Sequence, residues 1–235
     1  MTSPPRITRM EPLGPRGLRV LVHLDGAEPL EITLEAAERS RLGVGDRLSE
    51  DARKELTDLD ADVRVREAAL NLLSHRARTR RELETRLRRK GFPVGRIRPC
   101  LDGLEAKGLL DDEAVAAAFV RDRLRHRPRG KSRLASELRA KGVDADLATN
   151  AIERVYDDEE VTDVALAREA AESWVGRQGA TTLEALGHAG HTPERDKARR
   201  RLYGYLARRG FRGEALTAAL EHAERVVRAR ARPQE

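Results

Sequence analysis

The residues with the most chemistry to offer are arginines and lysines crowded into two passages. The first holds Arg76, Arg78, Arg80 and Arg81, then Arg86, Arg88, Arg89 and Lys90. The second starts at Arg121 and continues through Arg125, Arg127, Arg129, Lys131 and Arg133 to Arg139 and Lys141. Guanidinium and ammonium groups at this density suit one task, the holding of phosphate or carboxylate groups. Arg80 and Arg81 fall in the first turn of a predicted helix, where cations oppose the helix dipole. That placement costs a little stability and points to a use other than folding. The competing reading is a solvated helix exterior in a chain rich in arginine, alanine and leucine.

Segmental charge favours a use. Residues 1–62 carry 9 basic and 13 acidic side chains, residues 63–156 carry 23 and 13, and residues 157–235 carry 14 of each. The positive field therefore belongs to the middle of the chain, where it attracts a polyanion over a Debye length. Within the basic passages the aromatic residues are Phe92 and Phe119, both at core-like positions. Base stacking of the kind used by sequence-tolerant single-strand binders is not expected. Any DNA contact should be to phosphates and strongly salt dependent.

Catalytic chemistry finds little support. His188 and His191 stand in a glycine-rich stretch without nearby Cys or His partners for a metal. Cys100 follows Pro99 on an amphipathic stretch and reads as a half-buried thiol. Asp111 and Asp112 read as a helix cap with an acidic first turn. Gly43-Val44-Gly45 lacks the third glycine and the lysine of a phosphate loop. The expectation is a protein that is not an enzyme and needs no cofactor or metal.

What positions the cations is a repeat. Leu83–Leu87–Lys90–Gly91–Phe92, Leu134–Leu138–Lys141–Gly142–Val143 and Leu202–Leu206–Arg209–Gly210–Phe211 share one register. Leucines four apart lie on one helix face, and glycine after a basic residue suits the C′ position, where a left-handed conformation is needed. A following amphipathic helix carries Ile97, Leu101 and Leu104, then Leu147, Ile152 and Val155, then Leu216, Leu220 and Ala223. A leading helix carries Ala69, Leu72 and Leu73, then Phe119, Val120 and Leu124, then Ala170, Ala171, Trp174 and Val175. The unit is thus three helices, used three times. Thr79 with Glu82 forms a capping-box pattern, and Pro128 and Gly130 separate two helices of the second copy.

The expected architecture is mostly α: an elongated tandem array of three three-helix repeats behind a small N-terminal module. Residues 1–60 form that module, 61–110 repeat one, 111–157 repeat two, and 158–235 repeat three. In the module, Leu18–Leu24 and Leu30–Leu34 read as a β-hairpin around a five-residue loop, Asp25–Pro29. Two short helices are expected at 35–42 and 49–57. Repeat three contains an inserted stretch, about 176–195, that reads as a loop with one helical turn. Tyr203 and Tyr205 sit beside its leucine face, and the Arg225–Arg232 run reads as a fraying helix end. One cysteine excludes an internal disulfide framework, and no run reaches the length of a membrane span. A cytoplasmic, membrane-free monomer is expected.

Two passages together resemble the RecX family of bacterial RecA modulators. One runs from Arg78-Thr79-Arg80-Arg81-Glu82-Leu83 to Arg89-Lys90-Gly91-Phe92 and on to Leu104–Gly108-Leu109-Leu110-Asp111-Asp112. The other pairs Gly130-Lys131 with Glu137-Leu138 and Lys141-Gly142-Val143. The resemblance covers residues 62–157 well. In the third copy Tyr203-Gly204-Tyr205 replaces the expected Glu-Leu pair, and the N-terminal module is similar to a β-rich extension found in some members. The resemblance implies an elongated, curved array lying in the groove of a RecA filament, where it blocks filament growth or promotes disassembly, with ATP hydrolysis and strand exchange falling as consequences. It would thereby act in recombination, DNA repair and the SOS response. Within that expectation, the cations of both passages face the filament or the DNA inside it. The alternative is a stand-alone basic DNA-binding regulator. A helix-turn-helix reader is disfavoured because no helix stands out with base-reading Asn, Gln or Arg.

Overall fold

The computed structural model describes residues 3–15 and 17–231; Arg232, the end of the expected fraying run, lies outside them. It divides into two compact units, Met1–Leu110 and Asp111–Glu235.

The first unit opens with a three-stranded antiparallel sheet, β1 (Ile7–Leu13), β2 (Arg19–Leu24) and β3 (Ala27–Thr33), in the order β1-β2-β3. β2 alternates strictly, burying Val20, Val22 and Leu24, as a half-buried strand must. The expected two-strand hairpin is therefore one strand short. β1 escaped because it is an edge strand: Ile7 is its one fully buried residue, and Arg9, Glu11 and Pro12 read as non-strand. The expected five-residue loop is also too long. The chain reverses at Asp25-Gly26, with Gly26 at φ +66° and a register shift between Val22 and Leu24, a turn-plus-bulge solution for a hairpin.

Thr33 caps α1 (Leu34–Arg39), and Ser49 caps α2 (Glu50–His75), its hydroxyl accepting from the Ala52 N–H at 3.2 Å. α2 is 26 residues long and runs straight through residue 60, so the expected short helix at 49–57 and the boundary after 60 are both corrected. Its N-terminal half adds Leu56 to the core beneath the sheet; its C-terminal half adds Val65, Ala69 and Leu72 to the core of repeat one. Midway, buried Asp60 accepts the Thr33 backbone N–H at 2.6 Å. α3 (Arg80–Arg89) and α4 (Val94–Ala106) complete this unit.

The second unit contains α5 (Asp112–His126), α6 (Lys131–Ala140), α7 (Ala145–Asp158), α8 (Asp163–Val175), α9 (Ala180–Gly187), α10 (Pro193–Arg208) and α11 (Gly213–Ala231). α5 packs along α7, and α8 along α11. One continuous core runs from Ala116 to Val227 and includes Trp174, so repeats two and three are fused by burial. The inserted stretch is more ordered than expected. α9 packs on α10 and α11 with Leu186 fully buried, and Thr192 caps α10 with Pro193 at its start.

The repeated phrase forms the same device three times. Gly91, Gly142 and Gly210 take φ of +89°, +86° and +91°. The amides of Phe92, Val143 and Phe211 then reach back to the carbonyls of Leu87, Leu138 and Leu206, at 3.2, 3.1 and 3.2 Å. Each is a Schellman cap closed by an apolar C″ residue on a buried leucine.

Candidate functional site on the middle helices

α3, α6 and α10 are the middle helices of the three repeats, and each hides two leucines while turning its opposite side outward. Leu83 and Leu87 anchor α3, Leu134 and Leu138 anchor α6, and Leu202 and Leu206 anchor α10, all fully buried. Thr79 starts α3 correctly by accepting the Glu82 N–H at 3.2 Å, and Asp111 does the same for α5 through Ala114 at 2.9 Å. Counted back from the glycine, Arg81, Thr85 and Arg88 on α3 occupy the places of Ser132, Ser136 and Arg139 on α6. Spacings of four and three place each trio on one face, and all six residues are exposed. The shared pattern is a hydroxyl flanked by a cation one turn further on.

The sequence-predicted cations sort into three groups. Arg78 is the clear correction. It is 7% exposed, and its Nε donates to the Leu72 carbonyl at 2.9 Å. Burial, with Arg76 and Arg86 nearby, holds its pKa below the ordinary arginine value. It ties the end of α2 to the start of α3 and offers little to a partner.

A second group, half-buried apart from exposed Arg76 and Arg133, is already held. Arg76 pairs with Glu82 at 3.2 Å. Arg80 pairs with Asp102 and with Glu105, the latter at 2.7 Å, and the Asp102 hydrogen bond raises its pKa. These carboxylates on α4 offset the dipole penalty that had suggested a partner for Arg80. Arg129, Arg133 and Arg123 converge on Glu137 at 3.0, 2.8 and 3.2 Å. Burial opposes charge on Glu137, yet hydrogen bonds from Arg133 and Arg123 and the field of Arg129 outweigh it and hold the carboxyl below its usual range. Lys131 pairs with Glu153 and lies 4.9 Å from the Tyr156 ring. Lys141 lies 5.4 Å from the Phe119 ring, which Arg123 also covers.

The third group is exposed and makes no ion pair among the described residues: Arg81, Arg86, Arg88, Arg89 and Lys90 around α3, and Arg125, Arg127 and Arg139 near α6. The open surface of α3 is the densest of these sites.

Sequence reasoning missed Arg208 and Arg212. They line a groove with Ser132, Ser136 and Arg139 in the second unit. The balanced charge of residues 157–235 concealed them, although Arg208-Arg209 stands in register with Arg89-Lys90. The other expected functional candidates have local explanations. His188 Nδ1 accepts the Gly190 N–H at 3.1 Å in a tight turn. Cys100 is half-buried, and burial pushes its thiol pKa up. Tyr203 is 50% exposed, whereas Tyr205 is covered by Arg177 and Arg209. Among the described residues no helix is long and apolar enough to cross a membrane.

Fold and surface define a chain of three-helix repeats whose middle helices carry exposed cations that make no ion pair among the described residues. Comparison with known proteins gives the family. Two family descriptions match: "RecX, first three-helix domain" over residues 66–104 and "RecX, second three-helix domain" over 111–152. The regulatory protein RecX of Halorhodospira halophila is 38% identical over 160 residues, covering 68% of this chain and 88% of that protein. The regulatory protein RecX of Mycolicibacterium smegmatis is 42% identical over 156 residues, covering 64% and 77%. A crystal structure of regulatory protein RecX superposes with a TM-score of 0.70 at 20% identity, over 92% of this chain and 99% of that one. RecX from Lactobacillus salivarius gives 0.57 at 23%, over 70% and 97%. The chain belongs to the RecX family of regulatory proteins.

Proposed function

We propose that the protein is a negative modulator of the RecA recombinase that binds the RecA nucleoprotein filament and restrains its growth, ATP hydrolysis and strand exchange. Family membership supports the regulatory role. The observation that carries the contact is the outer surface of α3, where Arg81, Arg86, Arg88, Arg89 and Lys90 all lack an intramolecular ion pair. Surface cations left unpaired cost little in isolation and are free to meet carboxylates or phosphates on a partner. On this reading the protein acts without catalysis and without a cofactor, as a cytoplasmic monomer.

The test is RecA ATP hydrolysis on saturating single-stranded DNA, with this protein titrated far below the recombinase concentration. Strong inhibition at a small molar ratio is the expected result, because blocking one position of a cooperative filament affects many subunits. Charge reversal at Arg81, Arg88 and Arg89 should abolish that inhibition while affinity for naked DNA barely changes. Inhibition that appears only near the ratio needed to coat the DNA, and falls in step with DNA affinity, would make the protein a competing DNA binder instead.

A further inference from the structure

The second unit contains a surface that family membership does not assign. α6 and the end of α10 meet through two glycines. The Gly130 N–H donates to the Arg209 carbonyl at 3.0 Å, and Arg209 Nη1 donates to the Pro128 carbonyl at 3.1 Å. A Cβ on Gly130 would lie 2.5 Å from the Gly210 oxygen, and one on Gly210 would run into Arg133. Backbone therefore touches backbone at this crossing. Beside it the two helices enclose an open groove of about 740 Å³.

The lining has a definite chemistry. Arg133, Arg139, Arg208 and Arg212 are its charged residues, and no carboxylate belongs to it. Arg139, Arg208 and Arg212 are exposed and make no ion pair among the described residues. Ser132 and Ser136, one turn apart, add two exposed hydroxyls. The floor is Gly204, Ala207 and Gly210. Gly204 lies in the interior of α10, where glycine is unfavourable relative to alanine. There it leaves room for the Arg208 guanidinium, whose Nη1 would stand 3.2 Å from any Cβ at that position. No apolar or aromatic side chain larger than alanine lines the groove, so it lacks the anchor pocket that protein interfaces use. Arginines and hydroxyls over a small-residue floor are instead what grips a sugar–phosphate chain without reading its bases.

We infer that this groove binds the phosphodiester backbone of a nucleic-acid strand. The inference rests on the regulator reading and gives that reading a second contact, separate from the α3 surface. Nucleic acid would lie along α6, with Arg139, Arg208 and Arg212 on successive phosphates and the serine hydroxyls donating to phosphate oxygens.

The test is fluorescence anisotropy of labelled oligodeoxythymidine against the full chain, with no recombinase present, across a salt series. Two variants probe different properties. Arg208→Ala with Arg212→Ala removes two cations that make no ion pair among the described residues, so affinity should fall about tenfold or more at low salt and the salt slope on this single strand should drop by about 1.4. Gly204→Gln leaves every charge in place, replaces a poor helix former with a good one, and fills the groove. It should weaken binding comparably without lowering the melting temperature. Wild-type affinity in Gly204→Gln would overturn the groove in favour of diffuse surface charge. Unchanged DNA affinity in both variants, with inhibition of RecA lost, would overturn it in favour of an acidic protein surface. Because this measurement omits RecA, it can fail while ATPase inhibition stands, and the reverse also holds.

Discussion

At the residue scale, identical conformations can carry very different constraints. Gly91 and Gly210 both hold left-handed C′ positions, at φ +89° and +91°. A Cβ on Gly91 meets nothing within 4 Å, whereas one on Gly210 would strike the backbone and side chain of Arg133. Alanine at Gly91 should cost only the left-handed penalty, about 1–2 kcal/mol. At Gly210 it should cost more than ~3 kcal/mol, because α6 must move away from α10. Urea unfolding of the two variants measures the difference, and equal losses would mean that the α6–α10 crossing is looser than drawn. The repeat in the sequence made the shared conformation legible. The second constraint was not, since it depends on which backbone approaches from another repeat. Arg78 shows the same limit in reverse: it reads as one cation of a run, and only its place between two helices makes it an internal donor.

At the element scale, the leucine spacing was enough to find every middle helix, and the glycine register enough to end it. Elements whose buried positions are polar, or whose partners do the patterning, were harder to read. α2 looked like two pieces because Asp58, Asp60 and Asp62 interrupt its apolar stripe; Asp60 is in fact buried, satisfying the Thr33 amide. β1 gave no strand signal because an edge strand needs few apolar residues. α6 shows how an element can restrain its own charge. Glu137 gathers Arg123, Arg129 and Arg133, and they hold its carboxyl below the ordinary range. A carboxyl with a lowered folded pKa stabilises the fold at pH values above the unfolded glutamate pKa. That contribution is lost as pH falls through the folded value. Glu137→Gln should therefore remove an acid-side decline in melting temperature and lower stability near neutrality by about 1–3 kcal/mol. It should also release three arginines, of which Arg133 lines the groove, and tighten binding to oligodeoxythymidine. Tighter binding with the acid-side decline unchanged would show that Glu137 restrains charge without stabilising the helix.

At the scale of the whole molecule, composition located the basic middle of the chain but not the way it is divided. The cores beneath the sheet and in repeat one use residues up to Leu110, and the third core begins at Ala116. A cut before Asp111 thus leaves every buried cluster whole and keeps Asp111 as the α5 cap. Residues 1–110 and 111–235 made separately should each give a cooperative thermal transition. Each would also keep one cationic surface, the outer side of α3 or the groove beside α6. Covalent linkage makes the second contact intramolecular, and that alone can raise overall affinity by about 10²–10⁴ when geometry permits both. An equimolar mixture of the two folded pieces should accordingly need at least about a hundredfold more protein than the intact chain to halve RecA ATP hydrolysis. If the mixture matched the intact chain, one unit would hold the entire activity, and assaying the pieces singly would show whether the α3 surface or the groove is dispensable. If the mixture fails as expected, the regulator works because two modest electrostatic contacts are held in one polypeptide, and the length of the repeat array is itself part of the mechanism.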